Sequence, residues 1–431
     1  MIALPPSFRS QAALGLTAAA AVGRFELQVC RRCGAVQYPP REACHRCLSS
    51  ALDWRLQAGG GELLSETTLR HSHDEFFRGR LPIRLGLVRL DVGPTAVVFL
   101  NDDVASAPAR VKVGARLDRA GQAVLVAFAD VGEGGITQGT LLREMTCDPR
   151  GRRVFVTDAG SALGVALIRA LIDVGAAVVW AGRRPSAANA DQLESQFASS
   201  GQVQWVNLEV TSDESVRVAA DRIGSQVDIL INNTESRVGA APEGEVESAH
   251  VDVDHAAAEM NVDYYGLLRL AQAFGPLMRA TAAANAAVGA ATNTAAAFAA
   301  PGTDVRAASP AVGTPMMAWV NLLSIYALSA LPGRSAFSAS KAAVYSFAQS
   351  LRVEMAPAGI RVINVFPGPI DEDGNGELLP SKMSPVALAR AMVEALQDGV
   401  EDVYPGEVAQ DWYTQWRNNP NGVEHELATD R

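Results

Sequence analysis

The chain has 431 residues, 48% hydrophobic and 19% charged, which is enough for two or three folded domains. Its net charge of −10, with no basic stripe, argues against nucleic acid as a partner, because phosphate binding wants clustered Lys and Arg. No uninterrupted apolar run reaches the roughly 18 residues of a membrane span.

Residues 1–22 come first. Ala12 to Gly23 is apolar and follows Arg9, a pattern shared by a signal-peptide core and a short N-terminal helix; the helix is the expectation. Four of the five cysteines then fall in two knuckles, Cys30-x2-Cys33 and Cys44-x2-Cys47. Paired thiolates at that spacing suit one tetrahedral Zn²⁺; two disulfides are the alternative. Four thiolates leave no open coordination place, so the metal is expected to be structural, holding a segment (23–50) with little core. Reduced thiolates fit the cytoplasm. His45 is expected to be exposed rather than a fifth ligand, and Cys147 an ordinary thiol.

Between residues 51 and 147, strand-like runs appear at Gly61–Thr68, Ile83–Asp91, Thr95–Leu100, Arg116–Leu117 and Ala123–Phe128, separated by turn residues such as Gly93-Pro94 and Ala120-Gly121. They predict a small β-barrel of the OB type. Together with Cys30-Arg31-Arg32-Cys33-Gly34, Gln37-Tyr38-Pro39-Pro40-Arg41 and Cys44-His45-Arg46-Cys47, this half resembles the acyl-CoA-associated OB-fold family with a rubredoxin-like zinc ribbon. The resemblance implies a non-catalytic partner of thiolase- or aldolase-like enzymes acting on CoA thioesters, sometimes of steroid side chains. Acyl-CoA is then a possible ligand.

From Gly151 onward, strand and helix alternate as in a Rossmann-type, doubly wound parallel sheet. The expected elements are strands at Arg153–Thr157, Ala176–Ala181, Val203–Leu208, Val227–Asn232, Ala318–Leu323 and Ile360–Phe366, with helices at Val165–Asp173, about Ala256–Met278 and Phe337–Met355. Residues from 281 to about 316 are Ala-rich and read as an insertion, flexible or partly ordered, or a lid or partner-binding loop.

Ser324, at a strand end, precedes Lys341 by 17 residues, with Phe337 one helical turn before the lysine. Here the chain resembles the short-chain dehydrogenase/reductase family over residues 151–415, with Phe337 in the slot of the family's catalytic tyrosine. The resemblance implies that Asn261 supports a proton relay, Ser324 holds the substrate oxygen and Lys341 holds the nicotinamide ribose. Pro367-Gly368 matches the turn above the nicotinamide. Phenylalanine cannot move a proton, a step worth roughly 10²- to 10⁴-fold. Tyr326 is a possible substitute; Ser338 and Ser340 are expected to turn away from the Phe337–Lys341 face.

The cofactor loop, Thr157-Asp158-Ala159-Gly160-Ser161-Ala162-Leu163-Gly164, keeps Thr157, Gly160 and Gly164 but replaces two signature glycines by Asp158 and Ala162. A carboxylate about 5 Å from a phosphate costs roughly 3 kcal/mol at an effective dielectric near 20. Asn232-Asn233-Thr234-Glu235 adds a second carboxylate where the family has glycine. Arg183 and Arg184 fall where family members meet the 2′-phosphate of NADP, so any retained cofactor is expected to be NADP. Glu209 falls where the family often has an acidic residue near adenine.

The expected function is an accessory or scaffold protein of CoA-thioester metabolism, with an SDR domain that no longer transfers hydride. Its expected partners are a thiolase- or aldolase-like protein, an active SDR subunit or a second copy of the chain. The alternative is an NADP-dependent oxidoreductase acting on a hydroxy/keto acyl-CoA or a steroid-like substrate.

Overall fold

The computed structural model describes residues 4–6, 10–130, 139–185, 190–235, 250–297, 315–371 and 382–429. Helix α1 (Leu14–Ala21) forms from the apolar stretch after Arg9 and buries Leu16 and Ala20 against the β-barrel. A three-stranded antiparallel ribbon follows, in the order β2 (Val36–Gln37), β1 (Glu26–Cys30), β3 (Leu52–Leu56). Its centre is polar. Gln37 Nε2 donates to Gln28 Oε1 at 2.9 Å, and the amides of Arg41 and His45 donate to Gln28 and Gln37 at 2.8 and 3.0 Å. Those two side chains satisfy loop amides that no ladder reaches.

The barrel comprises β4 (Gly60–Leu69), the short helix α2 (Glu75–Arg78), β5 (Ile83–Leu90), β6 (Thr95–Leu100), β7 (Ala109–Leu117) and β8 (Ala123–Ala129). It closes in the order β4–β5–β6–β8–β7, with β7 pairing back onto β4. A bulge between Leu63 and Ser65 bends β4 so that one strand serves both neighbours. Strand β7 begins seven residues before the expected Arg116: Val111, Val113 and Ala115 point inward while Arg110 and Lys112 face solvent, a period-2 pattern spread over charged residues.

After α3 (Thr140–Arg143) the Rossmann half begins. Its elements are β9 (Arg153–Val156), α4 (Ala162–Asp173), β10 (Val178–Arg183), α5 (Ala190–Phe197), β11 (Val203–Asn207), α6 (Asp213–Ile223), β12 (Ile229–Asn232) and α7 (Val253–Ala297). There follow β13 (Met317–Leu322), α8 (Ser335–Met355), β14 (Ile360–Val365), α9 (Pro385–Asp398), β15 (Asp402–Val403), α10 (Gly406–Asn418) and α11 (Pro420–Thr429). The seven strands are parallel, in the order β11–β10–β9–β12–β13–β14–β15. The central strands are buried on both faces, by α4 and α9 on one side and α6, α7 and α8 on the other, so they read as continuous apolar runs.

Helix α7 corrects one expectation. It does not stop near Met278 but continues to Ala297, so the first part of the Ala-rich stretch is helical, in keeping with alanine's high helix propensity. Residues 298–314 of that stretch lie outside the described residues.

The two halves are joined through Arg361 on β14, which is 3% exposed. Its guanidinium donates to the carbonyls of Met145, Gly399, Leu117 and Asp118. Arg417 on α10 reaches Glu26 of the ribbon at 3.2 Å, and the amide of Glu401 donates to the carbonyl of Ala21.

Candidate functional site

The ribbon brings Cys30, Cys33, Cys44 and Cys47 together, with all four sulfurs within 4.8 Å of one another. The Cys30–Cys47 and Cys33–Cys44 sulfurs are 3.6 Å apart. Ligands of a tetrahedral Zn²⁺ at about 2.3 Å are about 3.8 Å from each other, so the set fits one zinc ion. The Arg46 amide donates to Cys44 Sγ at 3.4 Å, and Gly34 has φ +70, the left-handed turn that closes the first knuckle. His45 is exposed, its imidazole beside Gln37. Such a site holds a fold; with four thiolates it offers no place for a reacting group. Cys147 is fully buried, and burial pushes its thiol above the usual value.

In the Rossmann half, the tips of β9 and β12 are knitted together. Thr157 Oγ1 lies 2.9 Å from Thr234 Oγ1 and 3.3 Å from Asn232 Oδ1. The amide of Asp158 donates to Asn233 Oδ1, and Asn233 Nδ2 donates back to the carbonyl of Asp158. Ser161 caps α4 by accepting from the Gly164 amide at 2.8 Å. A Cβ at Gly164 would stand 2.0 Å from the Asp158 carbonyl, so that glycine is required by the turn itself. Asp158 turns its carboxylate back into the loop, where Oδ1 accepts from the Gly160 amide at 3.2 Å. The chain's own anion thus bonds an amide at the helix entrance, where a phosphate would otherwise be met.

The basic pair after β10 is partly engaged. Arg183 pairs with Glu194 at 2.7 Å and lies over the Trp205 ring; Arg184 is half-buried in the turn. Glu209 accepts from the amide and hydroxyl of Thr211 and so caps its own turn.

Around Lys341 the structure assembles a set of charges that the sequence reading missed. Lys341, on α8, is 1% exposed. Its Nζ lies 3.6 Å from Asp263 Oδ1 and 3.6 Å from Glu235 Oε1, and 5.5 Å from the centre of the Phe337 ring. Burial works against the ammonium, but the two carboxylates outweigh it and hold Lys341 above the usual lysine value. Each contact is worth about 4–5 kcal/mol at an effective dielectric near 20, before desolvation. Ser340 Oγ donates to Asp263 Oδ2 at 2.7 Å, so although it leaves the Phe337–Lys341 face it joins the same network. One turn before Asp263 on α7, Glu259 is 8% exposed and pairs with His255 at 3.5 Å. Burial pushes the Glu259 carboxyl up, with His255 opposing and Asp263 adding to the rise. The spacing of Glu259 and Asp263, four residues apart on one helical face, was the available signal.

Asn261 is not brought to Lys341. Its Oδ1 accepts from Arg269 at 3.1 Å, and Arg269 in turn pairs with Asp213. On a helix, a residue two positions from Asp263 faces elsewhere. Ser324 is 5% exposed, and its hydroxyl accepts from the Tyr326 amide at 3.2 Å. Tyr326 packs edge-on against Trp412, and burial raises its phenol above the usual value. Ser338 accepts from the Leu331 amide. The Pro367 carbonyl accepts from the Ile325 amide, which places Pro367-Gly368 beside the turn that follows Ser324.

Family models match three consecutive parts of the chain. Residues 17–53 match "ChsH2, rubredoxin-like zinc ribbon domain", residues 54–122 match "ChsH2, C-terminal OB-fold domain", and residues 152–311 and 315–382 match "short chain dehydrogenase". A short-chain dehydrogenase of Burkholderia cenocepacia J2315, solved in complex with NADP, is 30% identical; the likeness covers 65% of this chain and 99% of that one, with a TM-score of 0.51. An uncharacterized oxidoreductase of Staphylococcus aureus (strain N315) is 27% identical over 251 residues, 56% of this chain and 89% of the relative. A 3-ketodihydrosphingosine reductase of Bacteroides thetaiotaomicron is 25% identical over 218 residues, 50% of this chain and 62% of the relative. No described helix is long and apolar enough to cross a membrane.

Proposed function

This chain belongs to the short-chain dehydrogenase family, carries a zinc-ribbon and OB-fold module of the ChsH2 type in front of that domain, and from this we propose that it is an assembly protein rather than a hydride-transfer enzyme. In this reading the ribbon and barrel dock a thiolase- or aldolase-like enzyme of CoA-thioester metabolism. The Rossmann half pairs with an active SDR subunit or with a second copy.

The observation that carries the reading is the position of Lys341. Asp263 and Glu235 both claim its ammonium, which a working site would give to the nicotinamide ribose. Phe337 supplies no proton, Asp158 bonds the Gly160 amide, and Asn261 bonds Arg269. These engagements within the chain argue against a dinucleotide held as in a working reductase. Leu87 and Val97, paired across β5 and β6 and 39% and 61% exposed, give the barrel an apolar strip suited to a protein surface.

The NADP-dependent oxidoreductase is the second reading. It is favoured by the NADP-bound relative and by Arg183 and Arg184 at the end of β10. Co-expression with candidate thiolase-like, aldolase-like and SDR proteins, followed by native mass spectrometry, separates the two. A stoichiometric complex is expected. A chain that stays alone with each of them and reduces a ketone with NADPH would establish the second reading instead.

A further inference from the structure

A cavity of about 440 Å³ lies where four elements of the N-terminal half meet. Helix α1, the Pro39–Pro40 loop of the ribbon, the α2 segment and the outer face of the barrel each supply a wall. Pro40, Phe77, Phe99 and Leu125 make it mostly apolar. Asp118, Arg119 and Glu144 form its polar end. That end is balanced from within: Arg80 pairs with Glu144, and Asp118 Oδ1 accepts from the amides of Ala120 and Gln122. The size lies in the range of small-molecule sites, about 300–1,000 Å³, and so does the plan, apolar walls with a few convergent polar groups.

We propose that this cavity binds a medium-length alkyl or acyl chain ending in a neutral hydrogen-bonding group, such as an alcohol or an amide. The apolar walls take the chain. Arg119 donates to the ligand oxygen, and Asp118 or Glu144 accepts from its hydroxyl or N–H. Asp118 and Glu144 are balanced by Arg119 and Arg80 at the polar end, so a neutral head is matched there and an anionic one would have to displace an existing pair. None of the lining residues belongs to the Rossmann half, although Asp118 and Met145 give their carbonyls to Arg361, and the site stands whether or not that half binds a cofactor.

The test is calorimetric titration of the zinc-loaded full chain with 1-decanol, and separately with decanoate. One saturable decanol site is expected, with decanoate about tenfold weaker or more. Val124→Trp fills the cavity, and Val97→Trp does so from a rim position that is 61% exposed and outside the core. Each should weaken decanol at least about tenfold while zinc content and melting temperature stay unchanged, which separates lost binding from lost folding. Absence of saturable decanol binding, equal binding in the Val97→Trp variant with its fold intact, or tighter binding of decanoate than of decanol would each overturn the proposal.

Discussion

The zinc ribbon and the Rossmann half keep their family patterns in opposite ways. In the ribbon, every metal-ligating position is filled and the four sulfurs surround one point. In the Rossmann half, the frame is complete while Phe337, Asp158 and Glu235 stand where the resemblance described above implies a tyrosine and two glycines. The difference follows from what each site holds up. The ribbon's centre is polar, and its apolar side chains, Phe25, Leu27 and Trp54 among them, pack onto the barrel cluster, so the two knuckles depend on metal binding for the energy that closes them. The sheet is held by two apolar clusters, one on each face, and nothing in them depends on the groups at the strand ends. Catalytic positions there can change while the fold stays.

The largest expected effect lies on the ribbon side. Cys44→Ser should abolish stoichiometric zinc and remove hydrogen-exchange protection from Glu26–Leu56, against metal-binding energies of about 10–16 kcal/mol in small zinc modules. The Rossmann amides should stay protected. If they were lost together with the ribbon, the two regions would not be independent in the way described.

Next in size is Lys341→Met. It leaves Asp263 and Glu235 facing one another without their cation, and urea unfolding should show a loss of about 3–5 kcal/mol. Adding Asp263→Asn and Glu235→Gln should restore most of it, since removing both signs together spares the protein an unpaired buried charge. A Lys341→Met variant as stable as the parent would show that the triad is not a structural unit.

Asp158→Gly removes the carboxylate from the Gly160 amide and should raise NADPH affinity roughly a hundredfold, the equivalent of about 3 kcal/mol. Phe337→Tyr alone should leave the protein without turnover, because Lys341 stays between its carboxylates. Turnover in that single variant would mean that the rest of the pocket is ready for catalysis.

The smallest effect concerns pH. Burial raises the folded-state pKa of Glu259 above its unfolded value, so the folded protein holds a proton that the unfolded chain has lost. This group's contribution to stability therefore falls as pH rises, from its unfolded pKa near 4.3 until the folded pKa is passed, by at most about 1.4 kcal/mol per unit. Glu259→Gln should flatten that part of the stability–pH curve; an unchanged slope would place the titration elsewhere.

Legibility in the sequence followed the range of the forces involved. The Cys-x2-Cys pairs are local, and their ligand set was readable from spacing alone. The apolar runs from Val154 to Ile363 gave the parallel sheet, since each central strand is buried on both faces. Helices α6 and α9 carry unbroken apolar faces, Val216, Ala219, Ala220 and Ile223 in one and Leu388, Met392, Val393 and Leu396 in the other, so their helical spacing is present in the sequence although it is not among the expected elements; β7 is harder to read because Arg110 and Lys112 interrupt it. The Lys341 network was legible only in the Glu259–Asp263 spacing, for a different reason. Glu235, Asp263 and Lys341 come from three separate segments and meet only in the folded chain. Ser340, turned away from Phe337 by helical geometry, still reaches Asp263 because α7 packs alongside α8.

The most direct test of the central claim is an NADPH titration of the purified full chain, followed by nicotinamide fluorescence. The account predicts no saturable binding up to millimolar cofactor in the parent protein, and binding only after Asp158 is changed to glycine. Micromolar binding by the parent chain, accompanied by oxidation of NADPH in the presence of a ketone, would contradict it.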